Sequence, residues 1–353
     1  MKKIILSLLA IVLVGAIALG GFYLIMSGPV SADSEVVKFE VKSGTGKTKI
    51  IDNLAEAGLI KSKYAGYIYL FVHSKLNMQA GTYNINKGDK MSDIIIQISK
   101  GDTRRSAETI KITFKEGKTI DEYATIIAAN FENITEDDFK DAVKDKEFLK
   151  LMIDKYWFLT DDILKPGIRY PLEGYLFPET YNFYINANSK DIIKVFLNQT
   201  EKVLNKYKDQ IEHGDYTVHE VLTAASIIEK EANTKSDRKQ VSQVIYTRIA
   251  KKMSLGMDVT AFYGAGITAP EFEEIRLKAE KQRILNDDNP YNTRNNKKLG
   301  LPIGSICNPS EMSIEAALNP NEGNYVYFYA DQGKVHFFET STEFYNFINN
   351  LNS

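Results

Sequence analysis

Residues 217–232 read TVHEVLTAASIIEKEA, and this stretch decides how the centre of the chain folds. Thr217 followed three residues later by Glu220 is a capping box, the pattern that opens a helix. The apolar positions recur at helical spacing and predict one buried stripe, formed by Val221, Ala224, Ala225, Ile228 and Ala232. The sequence therefore predicts a helix from about His219 to Ala232 that packs into the core.

Two acidic side chains border that stripe. At about 100° per residue, Glu229 lies beside one edge of the stripe and Glu231 beside the other. A carboxyl group at such a position is either an ordinary surface acid or a catalytic acid. In the second case an apolar cleft raises its pKa, so that it protonates a glycosidic oxygen near neutral pH. Helical spacing alone does not choose between the two acids.

Segments on both sides of this helix have mixed periodicity. Helical spacing predicts further helices at residues 132–155, 190–208 and 237–251. Two short alternating runs, Tyr325–Tyr329 and Lys334–Phe338, flank a turn at residues 331–333 and predict a β-hairpin, followed by a last helix from about Thr340. The fold class that follows is α+β.

Residues 170–181, YPLEGYLFPETY, interleave aromatic side chains with the carboxylates Glu173 and Glu179. Two prolines and a glycine exclude a regular helix there. Aromatic rings and acceptor oxygens together suit the faces and hydroxyls of sugars, so one interpretation is a glycan-binding loop. The alternative is a packed loop with ordinary surface acids.

Residues 36–130 contain a weak internal repeat of a short strand, a Gly turn and apolar positions at helical spacing. Its copies are centred on Gly44, Gly88 and Gly117. Units of this kind occur in LysM-like glycan-binding modules, and plain α+β scaffolding explains them equally well. We predict a LysM-like subdomain over residues 36–105.

The N-terminus predicts the compartment. Lys2 and Lys3 precede an uncharged run, Ile4–Met26, that is long enough for the roughly 20 apolar residues of a transmembrane helix. The lysines favour a cytoplasmic location for residues 1–3, which predicts a single-pass cell-membrane protein whose C-terminal part is extracytoplasmic. A cleaved signal peptide is the alternative, although the run exceeds the usual apolar core of about 7–15 residues.

Composition removes several other classes of function. The 353 residues carry a net charge of -2 and no long Lys/Arg run, so no nucleic-acid partner is expected. Cys307 is the only cysteine, which excludes an intrachain disulfide and predicts a packing residue. The 4 histidines lack ligand-pair spacing and no Gly-x-Ser-x-Gly motif is present, so neither a metal, nor another cofactor, nor a serine nucleophile is expected.

Residues 225–231, ASIIEKE, closely resemble the signature of the endolytic murein transglycosylases, the YceG-like (MltG) family. Further blocks are similar to that family in the same order, at residues 172–181, 291–293, 300–309 and 325–338. The resemblance covers nearly the whole chain. It identifies residues 106–352 as a YceG-like catalytic domain.

The resemblance also implies roles for individual residues. The family's catalytic glutamate corresponds to Glu231. The residues expected to line the substrate cleft are Glu173, Tyr175, Phe177, Glu179, Ser226, Glu229, Asp258, Thr260, Tyr263, Tyr291, Asn292, Thr293, Pro302, Asn308 and His336. One departure lies at residues 256–260, GMDVT, where the family usually has Gln first and Pro before the Thr.

The activity that the resemblance implies is lytic transglycosylation of peptidoglycan. Glu231 is expected to protonate the oxygen between N-acetylmuramic acid and N-acetylglucosamine. It then deprotonates the muramyl C6 hydroxyl, which attacks C1 and leaves a 1,6-anhydro end. A tethered nucleophile lowers the barrier by ~7–11 kcal/mol, which relaxes the need for a second carboxylate.

The partners implied by the resemblance are peptidoglycan strands, the cell membrane and, as candidates, penicillin-binding wall synthases. No cofactor is implied. Two alternatives stay open. One is a glycan hydrolase in which a second acid such as Glu173 activates water, and the other is a peptidoglycan-binding scaffold that does not cleave.

Overall fold

The computed structural model describes residues 20–31, 35–103, 109–232, 234–294, 299–331 and 334–351. The chain divides into two compact units. The first contains the described residues up to Lys111 together with a short return segment, Asn182–Ala187. The second contains Ile112–Tyr181 and the described residues from Asn188 onward.

Two antiparallel strands and three helices make up residues 36–99 of the first unit. In chain order they are β1 (Val36–Val41), α1 (Lys47–Glu56), α2 (Lys63–Val72), β2 (Gly81–Asn86) and α3 (Met91–Ser99). β1 and β2 pair along their full length, with Val36 opposite Asn86 and Val41 opposite Gly81. The core of this unit consists of fully buried side chains from the strands and helices, among them Ile51, Leu54, Tyr83, Ile85, Ile94 and Ile98.

Residues 20–26 form a helix that leads into this unit. Tyr23 and Met26 pack against its core, and the Met91 amide donates to the carbonyl of Ser27 at 3.1 Å. Among the described residues, no helix has the length and apolar character needed to cross a membrane. Most of the expected anchor, Ile4–Met26, lies outside the described residues, so the transmembrane segment stays a prediction.

Helices dominate the second unit. In chain order they are α4 (Ile120–Asn130), α5 (Glu136–Ala142), α6 (Lys146–Lys155), a 3-10 turn (Asp161–Leu164), α7 (Ser189–Leu204), α8 (Lys208–Glu212), α9 (Val218–Glu231), α10 (Lys235–Ala250), α11 (Asp258–Ala265), α12 (Ala269–Glu274), α13 (Lys278–Leu285), α14 (Glu311–Leu318) and α15 (Ser341–Leu351). The predicted helices at residues 190–208 and 237–251 are confirmed as α7 and α10.

The remaining strands form two further two-stranded sheets. β3 (Thr109–Thr113) pairs with β4 (Thr180–Tyr184), and β5 (Tyr327–Asp331) pairs with β6 (Lys334–Phe338). The predicted C-terminal hairpin and the helix after it are thus confirmed. Helices combined with small sheets also confirm the α+β fold class.

α9 is buried on every side along most of its length. Thr217 is its N-cap and forms the predicted capping box with Glu220, whose carboxylate accepts from the Thr217 amide at 2.8 Å. Apart from Glu220, all residues from Val218 to Ile228 are buried, because α10, α11 and α14 pack around the helix. The sequence predicted burial along one stripe, and the structure extends it to the whole circumference.

The strand–turn–helix repeat is confirmed in three places, since β1, β2 and β3 lead into α1, α3 and α4. Gly44 and Gly117 turn the chain with φ of 80° and 72°, a region that glycine enters without a Cβ clash. Whether the first unit is LysM-like stays a prediction.

The helical stretch predicted over residues 132–155 consists of two helices, α5 and α6. Asp145 accepts a hydrogen bond from the Phe148 amide at 3.0 Å and caps the start of α6. An Asp that satisfies such a free amide favours a new helix start over continuation of the first helix.

Candidate functional site

Glu231 is the last residue of α9 and keeps some contact with solvent. No described residue forms a hydrogen bond or an ion pair with its carboxyl group. Protein atoms nevertheless surround this carboxyl closely. Burial, reinforced by the negative charge of Asp258 and opposed by Arg248, raises its pKa to about 7. The carbonyl end of the α9 dipole also disfavours a negative charge here.

Arg248 supplies the positive charge beside Glu231. It lies on α10, where Nε donates to the carbonyl of Val326 and Nη1 to that of Leu255. The guanidinium also lies over the Tyr327 ring, 5.4 Å from its centroid. These contacts fix the position of the charge, so its effect on Glu231 is built into the fold.

Glu229 has the opposite surroundings to those of Glu231. Its carboxylate pairs with Arg238 at 3.1 Å and accepts from the hydroxyl groups of Ser310 and Ser313, the second at 2.7 Å. Burial would raise its pKa, but the two serines and the arginine hold the pKa below its usual value. Glu229 is therefore an ionised carboxylate that joins α9 to α10 and α14.

A cluster of hydrogen bonds positions Asp258 at the start of α11. The Thr260 and Thr293 hydroxyl oxygens are 2.9 Å apart, and the amide of Met257 donates to the Thr293 hydroxyl at 3.1 Å. Asp258 itself forms an ion pair with Arg294. The structure thus brings together Asp258, Thr260 and Thr293, which the sequence predicted as cleft residues.

Glu173 is buried and lies at the N-terminus of α4. Its carboxyl accepts from the Ile120 amide at 3.1 Å, the Tyr263 hydroxyl at 2.9 Å and the Asn308 side-chain amide at 3.3 Å. Burial raises its pKa to about 8, despite the lowering effect of the Ile120 and Tyr263 hydrogen bonds. Glu173 is accordingly an interior acid and not the surface acid of the packed-loop alternative.

Asn308 ties this buried acid to the loop around it. Its side-chain oxygen accepts from the amides of Gly174 and Leu176, both at 3.0 Å, while its side-chain nitrogen donates to the Lys118 carbonyl at 3.2 Å. All four bonding positions of this amide, counting the one to Glu173, are used by atoms of the protein. Asn308 acts here as a cross-link between distant segments.

Like Glu173, the aromatic residues of the loop at residues 170–181 are buried. Tyr170, Tyr175, Phe177 and Tyr181 are each at most 9% exposed. Tyr170, Tyr175 and Tyr181 complete the core of the second unit and do not form the expected glycan-facing aromatic surface. The packed-loop alternative describes them better.

Tyr175 contacts the core histidine of α9. Its hydroxyl lies 2.8 Å from Nδ1 of His219, and Nε2 of His219 lies 2.8 Å from the Ile303 carbonyl. Because a carbonyl only accepts, Nε2 carries the proton and donates to it. His219 thus fixes the loop that contains the buried Pro302.

Two further predicted residues shape the loop before α14. The Ser226 hydroxyl donates to the Thr223 carbonyl at 2.7 Å and accepts from the Ile306 amide at 3.0 Å. Cys307 is buried with a free thiol that donates to the Ser226 carbonyl. The expectation that Cys307 is a packing residue is confirmed.

The Tyr291-Asn292-Thr293 segment is buried as well. The Tyr291 hydroxyl accepts from the Arg169 amide at 3.0 Å, and its ring lies 4.8 Å from that of Tyr263. The Asn292 side chain donates to the carbonyls of Leu285 and Asp287. These contacts fix the position of the segment, and thereby hold Thr293 in place near Asp258.

Two predicted residues lie elsewhere. Glu179 lines a cavity of about 530 Å³ in the second unit, together with Phe177, Lys202, Lys206 and Glu311, and Glu231 does not line it. His336 lies on β6 with its ring 4.6 Å from that of Phe347. We place the candidate site at Glu231, because the chemistry of its carboxyl is a more specific indication than the volume of a cavity.

The sequence analysis missed two arginines, Arg238 and Arg248. Both fall on the buried stripe of α10, three residues before Val241 and four residues after Val244. A charged residue on an apolar stripe needs a partner, usually an acid. The helical periodicity of α10 would have identified both arginines as residues that need an acidic partner. It would not have predicted which acid lies next to each arginine.

Comparisons with known proteins agree with the sequence resemblance. The profile of the YceG-like family matches residues 39–350. An endolytic murein transglycosylase of Bacillus subtilis (strain 168) is 34% identical over 330 residues, which cover 89% of this chain and 85% of that protein. An endolytic murein transglycosylase of Streptococcus pneumoniae serotype 2 is 31% identical over 320 residues, covering 88% of this chain and 57% of that protein.

A solved structure shows the same similarity in three dimensions. The crystal structure of a yceG-like protein from Listeria monocytogenes is 33% identical and aligns with a TM-score of 0.61, covering 89% of this chain and 100% of that one. The resemblance predicted from residues 172–338 is confirmed.

Proposed function

Because the chain belongs to the YceG-like family, we propose that it is an endolytic lytic transglycosylase of peptidoglycan in which Glu231 is the acid and the base. The observation that carries this proposal is the Glu231 carboxyl, which is unpaired among the described residues, reaches solvent and has a pKa raised to about 7. A carboxylic acid with this pKa is half protonated near neutral pH. It delivers a proton to a leaving oxygen and later takes one up.

In the proposed reaction, the bond that breaks joins C1 of N-acetylmuramic acid to the oxygen of N-acetylglucosamine. Glu231 protonates this oxygen while the C1–O bond breaks. The resulting carboxylate removes the proton of the muramyl C6 hydroxyl, whose oxygen attacks C1 and closes a 1,6-anhydro ring. Glu231 ends the cycle protonated, as it began, and no water is consumed.

The surroundings of Glu173 and Glu229 favour this reaction over a hydrolysis in which either of these acids activates water. A hydrolase needs a second carboxylate that activates water. Glu173 is buried and bonded to Ile120, Tyr263 and Asn308, and Glu229 is bonded to Arg238. Neither acid has a free face for a water molecule, whereas the C6 hydroxyl of the substrate is already tethered next to C1.

The location and the binding partners complete the proposal. We propose that Ile4–Met26 anchors the chain in the cell membrane and that the domain beyond it is extracytoplasmic. A LysM-like first unit would bind glycan strands, and wall synthases that produce nascent strands are the candidate protein partners. Relatives named endolytic murein transglycosylase support a murein substrate.

Mass spectrometry of peptidoglycan digested by the full chain tests the proposed reaction. We expect fragments with 1,6-anhydro ends from the wild type and none from Glu231→Gln. Glu212→Gln, at an exposed acid of α8, is the matched control and should retain full activity. Fragments with ordinary reducing ends would support a hydrolase. Binding of strands without any release of fragments would support a scaffold.

A further inference from the structure

Exposed apolar side chains lie together at one end of the first unit. In α2, Phe71 is 85% and Val72 is 68% exposed, and the turn that follows, residues 73–75, is exposed too. We call Phe71, Val72 and residues 73–75 the α2 tip. Contiguous exposed apolar surface of this kind marks a binding site for a partner or a membrane.

The helix at residues 20–26 indicates where the α2 tip lies. Tyr23 packs against the core cluster that contains Tyr69, just before the tip, and the two side chains lie near each other. A Cβ on Gly28 would lie 3.6 Å from Nζ of Lys61, which precedes α2. The end of α2 therefore lies toward Tyr23, and the residues before its start lie toward Gly28.

With this direction, the α2 tip lies beside the residues that precede Tyr23 along the helix at residues 20–26. At 1.5 Å per residue, Phe71 and Val72 lie about 3–5 Å beyond Tyr69 along the axis of α2. In the proposed function the span Ile4–Met26 ends at Met26, so the level of the tip falls within the outer boundary of the bilayer. The helix at 20–26 also exposes apolar side chains, namely Phe22, Leu24 and Ile25.

The charges around the α2 tip complement an anionic surface. Lys75 lies within the tip and is exposed, and Nζ of Lys47 donates to the carbonyl of Ser74 in the tip at 3.1 Å. Ammonium groups beside exposed aromatic and aliphatic side chains match anionic lipid headgroups above acyl chains.

We propose that the α2 tip inserts into the outer face of the cell membrane beside the anchor, with Phe71 and Val72 among the acyl chains and the lysines at anionic headgroups. This inference rests on the membrane anchor of the proposed function. A second membrane contact fixes the rotation of the first unit about the anchor. It thereby determines which face of the unit is turned toward the cell wall.

Site-directed spin labelling of the full chain in phosphatidylglycerol-containing vesicles tests this inference. The label is attached at Val72→Cys or, as the control on the same helix, at Tyr64→Cys, which is 62% exposed. Cys307 is buried and so does not compete for the label. We expect the label at position 72 to collide with lipid-soluble oxygen several-fold more than with a water-soluble nickel complex. The label at position 64, about 12 Å away along the helix, should show the reverse preference.

Each other outcome overturns the inference in a recognisable way. If the protein floats with the vesicles but both labels collide equally with the nickel complex, the tip is in water and the inference fails while the anchor stands. A label at position 72 that is wet in vesicles and becomes immobilised by added glycan strands identifies a glycan-binding surface. A chain that does not float with vesicles refutes the anchor and the tip contact together, but leaves the cleavage reaction, which is measured separately.

Discussion

At the scale of single residues, Arg248 and Asp258 act on the pKa of Glu231 in opposite directions. A general acid works while it is protonated, so kcat/KM should fall as the pH rises through the pKa of Glu231, near 7. Arg248→Gln removes a charge that lowers this pKa and should move the fall in kcat/KM to higher pH. Asp258→Asn removes a charge that raises it and should move the fall to lower pH. Each shift is expected to be about 0.5–1 pH unit.

The matched control for this pair is Arg248→Lys, which retains the positive charge and should leave the pH profile near that of the wild type. The measurement is kcat/KM for release of anhydro-ended fragments between pH 5 and 9. Shifts of the same sign for Arg248→Gln and Asp258→Asn would show that another group titrates.

Mutation of Glu229, two residues from Glu231, should lower the stability of the protein and leave its catalytic activity unchanged. Glu229→Gln leaves the guanidinium of Arg238, whose side chain is 10% exposed, without a counter-charge. Breaking a buried ion pair on one side costs about 3–5 kcal/mol in the free energy of unfolding. Urea denaturation measures this loss, and a variant as stable as the wild type would contradict the structural role. The activity per folded molecule should be retained.

At the scale of elements, the carboxyl of Glu173 accepts a hydrogen bond from the Ile120 amide at the start of α4. Its pKa in the folded protein is raised to about 8, against about 4.3 in an unfolded chain. Between these two values the folded state holds one proton more than the unfolded state. The free energy of unfolding therefore falls as the pH rises through this window, by at most about 1.4 kcal/mol per pH unit. This stabilisation is complete below the lower pKa and lost above the higher one.

Glu173→Gln should remove this dependence and keep the fold, because Gln still accepts from the Ile120 amide and contacts Tyr263. Thermal unfolding at pH 5 and pH 8 compares the two proteins. We expect the wild type to lose more stability than the variant between these values. An identical loss in both would show that Glu173 is ionised throughout.

Elements with a strong local signal could be predicted from the sequence. The capping box at Thr217 and Glu220, the strand–turn–helix repeat and the C-terminal hairpin all depend on neighbours within a few residues, and all are confirmed. The helix break near Asp145 and the inward packing of residues 170–181 depend on tertiary contacts. Aromatic residues in a Pro-rich loop look alike whether they face sugar or core, so only the fold distinguishes the two.

At the scale of the whole molecule, the candidate site could be predicted in part. Apolar periodicity left Glu229 and Glu231 as alternatives, and the family resemblance chose Glu231. The partners that separate the two acids come from distant positions. Ser310 reaches Glu229 across 81 residues, and Ser313 reaches it across 84. Contacts between residues so far apart in the chain cannot be predicted from the spacing of residues in a single sequence. The difference between the pKa values of Glu229 and Glu231 could therefore be found only in the structure.

The central claim is that Glu231 alone supplies the proton and removes it again. The most direct test is the initial rate at which wild type and Glu231→Gln release 1,6-anhydro-ended fragments from purified glycan strands at pH 5, 7 and 9. For the wild type we predict a roughly constant kcat/KM up to about pH 7 and a fall of about tenfold per unit well above it. Glu231→Gln should be at least about 100-fold slower than the wild type at pH 5, in line with the loss of a general acid, with little dependence on pH and an unchanged melting temperature. A Glu231→Gln variant that forms anhydro ends at the wild-type rate, with the wild-type pH profile, would contradict the claim.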